Sequence, residues 1–330
     1  MVRTRRASYA RGWLRSHRLE RPVIVVGNLN VGGSGKTPLV IWLVAQLRCA
    51  GLTPGVVLRG YGGSAAHRSK PQRVHADSDP TVVGDEALLL RRRTGEPVAV
   101  CRERVRAARL LVEEGINVIV SDDGLQHLAL ARNFEIAVID GERGLGNGYL
   151  LPAGPLREPR ERLGQVDALV VNGEGGFWAE MAADRTRGVR REGAAPRGPG
   201  PGGPFTMRLK GERLLALAGG AEVMALSSLA GRRVHAVAGI GHPQRFFAQL
   251  RAAGLEVIEH AFPDHHRYRA DELVFGDALP VLMTEKDAVK CQGLGGPNHW
   301  YLPVTASFAE AEATALLGRL RRSLEFQGHS

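Results

Sequence analysis

Residues 22–37 read PVIVVGNLNVGGSGKT. The apolar run Pro22–Gly27 shows no alternation, as expected of a strand covered on both faces. A Gly-rich turn follows, then an apolar helix from Thr37 to about Ala50. Pro38 falls in the first turn of that helix, where its missing N–H costs nothing, and Gly51 is placed to end it. In such a strand–turn–helix unit the backbone N–H groups of Asn30, Val31, Gly32, Gly33, Ser34 and Gly35 surround phosphate oxygens. The helix N-terminus adds its partial positive charge. In this pattern Lys36 reaches the β- and γ-phosphates of a nucleotide and the Thr37 hydroxyl binds Mg²⁺. The strict form, G-x-x-x-x-G-K-[ST], has Gly where this chain has Asn30. Asn is the non-Gly residue most able to adopt positive φ, so Asn30 is expected to serve in the same conformation.

Working outward, short apolar runs alternate with helical patterns. Gly55–Arg59, Pro97–Cys101, Asn117–Ser121, Glu135–Asp140 and Asp167–Val171 read as strands, and Arg102–Glu114 as a helix. This βαβ alternation predicts an α/β fold: a P-loop NTPase-like, mostly parallel sheet with helices on both faces. Residues 173–204 contain GEGG and APRGPGPGGP, which support no regular element and read as a linker or loop. Beyond them come strand His235–Gly239, helix Pro243–Ala253, strand Leu255–His260, strand Val281–Thr284 and a helix from about Ser307 to Leu324. The reading is therefore a basic arm (1–21), a nucleotide-binding domain (22–172), a linker (173–204) and a smaller α/β lobe (205–330) that contributes to the active site.

Composition limits the alternatives. With 330 residues, 44% apolar and 24% charged, the chain can build about two cores and is not disordered. Cys49, Cys101 and Cys291 are isolated and lack CxxC spacing, so neither a disulfide framework nor a zinc site is expected. The longest apolar candidate, Leu214–Ala230, is broken by Gly219-Gly220 and Glu222, so no spanning helix is expected. Of the 44 basic residues only five are Lys. The first 21 residues hold seven Arg against Glu20, and so more than half of the net charge of +10. Such an arm suits an anionic surface, although a solvated Arg-rich terminus has the same composition. The body shows no aromatic–basic platform, so no nucleic acid is expected, and no obligate protein partner is evident.

A metal carboxylate belongs at the end of a neighbouring strand. Ile116–Ser121 ends in Asp122-Asp123, which fits, although a strand-end turn has the same appearance. Gln126 and His127 follow on the next turn. Guanine recognition would want N-K-x-D, whereas Thr284-Glu285-Lys286-Asp287 has Lys and Asp adjacent, which disfavours a GTPase. Partitioning and cell-division ATPases carry a Lys directly before the Gly pair, where this chain has Val31; that regulatory ATPase class is the alternative reading. A kinase needs a separate base for an acceptor hydroxyl. Val83-Gly84-Asp85-Glu86 and Phe262-Pro263-Asp264-His265-His266 are the candidates; read structurally, the first is a helix N-cap and the second a polar loop.

The ordered blocks GNLNVGGSGKTP, LRGYGG, VGDEALLL, SDDGLQH, LLPAGPLREP, AGIGHPQRFF, FPDHHRY and TEKDAVK resemble the tetraacyldisaccharide 4′-kinase family from about Arg5 to Lys290. The resemblance implies a kinase that phosphorylates the 4′-hydroxyl of a tetraacylated glucosamine disaccharide 1-phosphate in lipid A biosynthesis, using Mg-ATP. It implies Asp85 as the base, His265 as its partner from the second lobe, Lys36 and Arg104 as phosphate-facing cations, and Asp122 and Asp123 at the metal. Tyr61, Glu86, Gln126 and His127 are implied at the acceptor or nucleotide. A peripheral position on the anionic, cytoplasmic face of the inner membrane is implied too. Members of that family begin with an apolar, membrane-touching helix ahead of the Arg-rich block. This chain starts close to that block: either its start site is shortened, or the arm with Tyr9, Trp13 and Leu14 docks on the membrane alone.

Overall fold

A computed structural model of the chain describes residues 2–175, 177, 204–219 and 222–325. The first lobe contains strands β1 (Val23–Gly27), β2 (Pro54–Leu58), β3 (Gln72–Val74), β4 (Val98–Val100), β5 (Val118–Ser121), β6 (Phe134–Asp140) and β7 (Ala168–Asn172). Its helices are α1 (Val2–Ala10), α2 (Lys36–Cys49), α3 (Pro80–Val83), α4 (Asp85–Thr94) and α5 (Arg104–Glu113). The second half supplies β8 (Phe205–Lys210), β9 (Arg213–Ala216), β10 (Val223–Ala225), β11 (Arg233–Ala238), β12 (Glu256–Ala261), β13 (Val281–Thr284), β14 (His299–Leu302) and β15 (Thr305–Ser307). It also supplies α6 (Pro243–Ala252), α7 (Glu285–Ala288) and α8 (Glu310–Glu325).

Nine strands form the first sheet in the order β15-β8-β7-β6-β1-β5-β2-β4-β3, parallel except at the two edge pairs. β1, β2, β5, β6 and β7 are buried throughout, which explains their unbroken apolar sequences. Leu39, Leu43 and Leu47 of α2 pack on one face with Leu88 and Leu90 of α4 and Leu316 and Leu320 of α8. Ala107, Ala108 and Leu111 of α5 fill the other face with Leu125, Leu130 and Leu163. The second sheet, β10-β9-β14-β13-β11-β12, is sandwiched between Phe246, Phe247 and Leu250 of α6 on one side and a cluster around Tyr268, Leu273, Met283 and Cys291 on the other.

The boundary at residue 205 needs correction. β8 pairs in parallel with β7, β15 pairs with β8, and α8 packs on the first sheet, so residues 205–210 and 305–325 complete the larger lobe. Phe205, Met207 and Leu209 alternate with Thr206, Arg208 and Lys210, the pattern of a strand with one face more buried than the other. The Gly/Pro-rich stretch therefore interrupts a sheet rather than separating two domains; within it, only residues 173–175, 177 and 204 are described. The chain passes between lobes twice, at 211–212 and 303–304, and these crossings lie side by side: a Cβ on Gly211 would sit 3.0 Å from Leu302 Cγ and 3.1 Å from the Pro303 carbonyl oxygen.

The arm is docked on the larger lobe. Arg6 donates to Glu158 (2.6 Å) and Gln165 (2.7 Å), Arg5 to the Gln126 carbonyl (3.2 Å), and Ser16 Oγ to the Leu128 carbonyl (3.0 Å). Trp13 and Leu14 remain exposed, with Arg11 over the Trp13 ring at 5.3 Å. Among the described residues, no helix is long and apolar enough to cross a membrane.

Candidate active site

The carboxyl edge of the first sheet gathers the site. β1 lies between β5 and β6, so its Gly-rich loop opens beside Asp122, which follows β5, and Asp140, which ends β6; Asn172 ends the next strand. Gly35, at φ 89° in the left-handed region, caps α2. A Cβ there would lie 2.5 Å from Asn172 Nδ2, which donates to the Ser34 carbonyl (3.2 Å). Asn30 does not take positive φ: among the described non-Gly residues only Asp123 and His265 do. It is instead pinned by an antiparallel bridge to Leu156 and by Nδ2 donating to the Gly144 carbonyl (2.8 Å). The segment 155–157 thus fixes this half of the loop, because the Val31 N–H donates to the Pro155 carbonyl (2.9 Å) and the Arg157 N–H to that of Leu29 (2.6 Å).

Asp122 and Asp123 have divided environments. Arg157 grips Asp123 through both oxygens, Nη1 to Oδ2 at 2.8 Å and Nη2 to Oδ1 at 2.7 Å, and Lys36 Nζ stands 3.5 Å from Oδ1. Burial works against ionisation of Asp123, yet Arg157, Lys36 and Arg104 hold its carboxyl well below the usual range. Asp122 has no such partner: burial first, then the Glu86 charge, push it up to about 7. Its Oδ1 accepts the Asp123 N–H at 2.8 Å. Arg104 is buried, its Nε has no partner, and burial lowers its pKa against the pull of Asp123 and Asp122.

The second lobe completes the site. His265 Nδ1 lies 3.1 Å from Asp85 Oδ2. Burial would raise Asp85, but the His265 hydrogen bond and the Lys286 charge hold it below the usual carboxylate value. The same hydrogen bond raises His265 against its own burial. Asp85 opens α4 rather than capping it; Gly84 is the N-cap, at φ 89°, and a Cβ on it would lie 2.5 Å from the Tyr61 carbonyl oxygen. The RGYGG turn therefore packs directly beneath the base candidate, and Tyr61, largely exposed, meets the His265 ring edge-on at 5.1 Å. A Cβ on Gly241 would be 3.4 Å from the Gly33 nitrogen and 3.4 Å from Asp264 Oδ2, so the 239–242 loop overlies the phosphate loop. Arg245 of α6 reaches across to Asp140 (2.8 Å) and Asn172 (3.2 Å).

Gln126 is held within the larger lobe, and His127 is half-buried with its Nε2 unpartnered. Gln126 Nε2 donates to Glu158 (2.7 Å) and the Asn28 carbonyl (3.2 Å), which ties the arm's partner Glu158 to the loop. Burial and the charges of Arg104, Arg132, Arg5 and Arg59 lower His127 to about 3, leaving a neutral imidazole. Four polar residues at the site went unassigned in the sequence: Arg157, Asn172, Arg245 and Lys286. Arg157, Arg245 and Lys286 fall inside the GPLREP, AGIGHPQRFF and TEKD blocks, so the signal was present; Asn172 carries no local mark.

The family profile described as Tetraacyldisaccharide-1-P 4′-kinase matches residues 1–321. A tetraacyldisaccharide 4′-kinase of Alkalilimnicola ehrlichii is 50% identical over 326 residues, covering 98% of this chain and 89% of that protein. One from Methylobacillus flagellatus is 49% identical over 327 residues, covering 98% and 90%. The crystal structure of LpxK from Aquifex aeolicus in complex with ATP superposes with a TM-score of 0.73 at 28% identity, covering 98% of this chain and 95% of that one. With the phosphate loop, the paired aspartates and the second-lobe histidine on one site, and with a match along almost its whole length, the chain belongs to the tetraacyldisaccharide-1-P 4′-kinase family.

Proposed function

We infer that the chain transfers the γ-phosphate of ATP to the 4′-hydroxyl of a tetraacylated glucosamine disaccharide 1-phosphate in lipid A biosynthesis, with Asp85 as the base. The observation that carries the assignment of the base is the Asp85–His265 hydrogen bond across two lobes, with Gly241 beside Gly33 on the same seam. The Asp85 carboxylate accepts the hydroxyl proton as the oxygen attacks the γ-phosphorus and the bond to the ADP oxygen breaks. Phosphoryl transfer with a loose transition state asks for little proton removal early, so a weakly basic carboxylate suffices. Protonated His265 holds that carboxylate through Nδ1. Lys36, now 3.5 Å from Asp123, is placed to turn toward the β- and γ-phosphates, and Arg104 adds positive potential from beneath. Ser34 Oγ, buried without a partner, is available to a phosphate oxygen.

The site suits Mg²⁺. Among the described residues no cluster of three or more His, Cys, Asp or Glu forms a protein-only cage. The Thr37 hydroxyl and the uncompensated Asp122 carboxylate would hold the ion together with phosphate oxygens, a donor set that octahedral Mg²⁺ favours. When bound, the ion neutralises charge on the β- and γ-oxygens.

The arm presents Trp13 and Leu14 beside Arg11, Arg15 and Arg18, a composition suited to an anionic headgroup layer. We read it as the docking element on the cytoplasmic face of the inner membrane, where ATP is supplied. The deciding experiment follows labelled γ-phosphate into detergent-dispersed tetraacyl disaccharide 1-phosphate. Label in the lipid, lost about a hundredfold in Lys36→Ala and Asp85→Ala, supports the reading. Label in free phosphate alone returns the chain to the regulatory ATPases.

A further inference from the structure

Lys286 sits at the start of α7, in the smaller lobe, with its side chain only 18% exposed. Its ammonium lies 3.2 Å from Glu86 Oε1, 3.3 Å from Asp264 Oδ1 and 4.0 Å from Asp85 Oδ2. Two of these carboxylates belong to the larger lobe and one to the smaller, so a single cation faces both sides of the seam where the base candidate sits.

The turn that carries Lys286 is rigid. Asp287 is fully buried and accepts hydrogen bonds from Thr284 Oγ1 (2.5 Å), Tyr268 Oη (3.0 Å) and the Gly239 N–H (3.1 Å), with Lys290 Nζ at 2.8 Å. The adjacent residues Lys286 and Asp287 thus tie together Asp85 and the loop over the phosphate site. A second interlobe pair provides a built-in comparison. Arg93, in the last turn of α4, bonds Glu285 at 2.5 Å, so the same two helices are fastened again, away from Asp85.

We propose that Lys286 is a positioning residue for the transfer step: its ammonium holds Asp85 and Glu86 in register with His265 as the lobes meet, and keeps the base anionic. A tether between lobes would need only one cation–carboxylate pair, and Arg93–Glu285 already supplies it. Lys286 adds neutralisation of a cluster in which Asp85, Glu86 and Asp264 crowd together, faced otherwise by His265 and the charge of Lys290. Without it, the carboxylates repel and Asp85 is the most buried of them, hence the first to take up a proton.

The inference rests on Asp85 as the base, and its test separates the two. The full-length enzyme is assayed for transfer to the dispersed disaccharide 1-phosphate across pH, with Lys286→Met, Lys286→Arg, Arg93→Met and Asp85→Asn. Lys286→Met is expected to lower kcat about 30-fold with the KM for ATP changed less than about threefold. The acid limb of its kcat/KM profile moves to higher pH, and Lys286→Arg restores both kcat and the limb. Arg93→Met lowers the melting temperature but leaves the limb in place. A Lys286→Met profile with the wild-type acid limb overturns the proposal, and so does a loss that Lys286→Arg fails to restore. Should the Met variant fail to fold, Lys286→Gln carries the same readout. If Asp85→Asn keeps wild-type kcat, the base assignment itself falls; if Asp85→Asn is impaired and Lys286→Met is not, only the role of Lys286 falls.

Discussion

His265 Nδ1 and Asp85 Oδ2, 3.1 Å apart, join the two lobes, and His265 makes this contact from a positive φ of 61°. A non-Gly residue held there signals a conformation imposed by its surroundings. Asp85→Asn should lower kcat by about a hundredfold or more and His265→Ala by about ten- to a hundredfold, each with the KM for ATP nearly unchanged. Steady-state phosphate transfer at saturating ATP is the measurement.

The same pair makes closure depend on pH. His265 titrates above its ordinary 6.5 in the folded protein, so its contribution is complete at lower pH and is lost as pH rises through that raised value. Asp85 titrates below its ordinary 3.8, so at the acid end the pair fails only under strongly acidic conditions. The melting temperature of the wild type minus that of His265→Gln should be largest near pH 5 to 6 and shrink toward about pH 9. A difference that grows with pH would contradict the assignment.

Gly35→Ala should damage the nucleotide site. The new methyl would meet Asn172 Nδ2 at 2.5 Å in a backbone conformation that costs an L-residue about 1 kcal/mol or more. The KM for ATP should rise about tenfold and the melting temperature fall by several degrees, both measured on the purified variant.

Arg157→Gln tests the division of labour between the aspartates. Without the guanidinium, Asp123 keeps Lys36 as its nearby partner, and Lys36 is drawn from the phosphates toward it. The expected result is a fall in kcat of about tenfold or more, partly recovered in Arg157→Lys, which keeps the charge but not the two-pronged grip. Single-turnover transfer reads this directly.

Removing the arm's exposed side chains should separate attachment from chemistry. Trp13→Ala with Leu14→Ser should reduce flotation with vesicles containing anionic phospholipid, while kcat on detergent-dispersed substrate stays within about twofold. Wild-type flotation should weaken as salt is raised, because the flanking Arg act by charge.

The central strands were legible because complete burial writes itself as unbroken runs: Val281–Thr284 is observed with those limits, Asn117–Ser121 and Glu135–Asp140 differ by one residue at the first end, and Gly55–Arg59 by one at each. β3, β9, β10, β14 and β15 were not seen, since three- and four-residue strands at edges and crossings are fixed by their neighbours rather than by their own pattern. β8 falls to the larger lobe because its partner β7 lies across the Gly/Pro-rich stretch, a pairing no local pattern marks, although its alternation is present. At the site, motif residues such as Lys36, Asp122, Asp123 and Asp85 lie on one seam because each follows a strand or opens a helix at the sheet's carboxyl edge. Asn30 was read through a pattern that assumed positive φ, and a bridge to Leu156, distant in sequence, decides its conformation instead. Gln126 was free in sequence but is held by Glu158 in space.

The two crossings between the lobes, at 211–212 and 303–304, lie side by side, so the covalent connection runs along one edge of the seam. Four contacts of the site span the gap between the lobes: Asp85 with His265, Lys286 with Glu86, Arg245 with Asp140, Gly241 beside Gly33. With Asp85 as the proposed base, any separation of the lobes on the opposite edge parts it from His265, so a molecule opened that way while holding nucleotide has no assembled base with which to spend it on water.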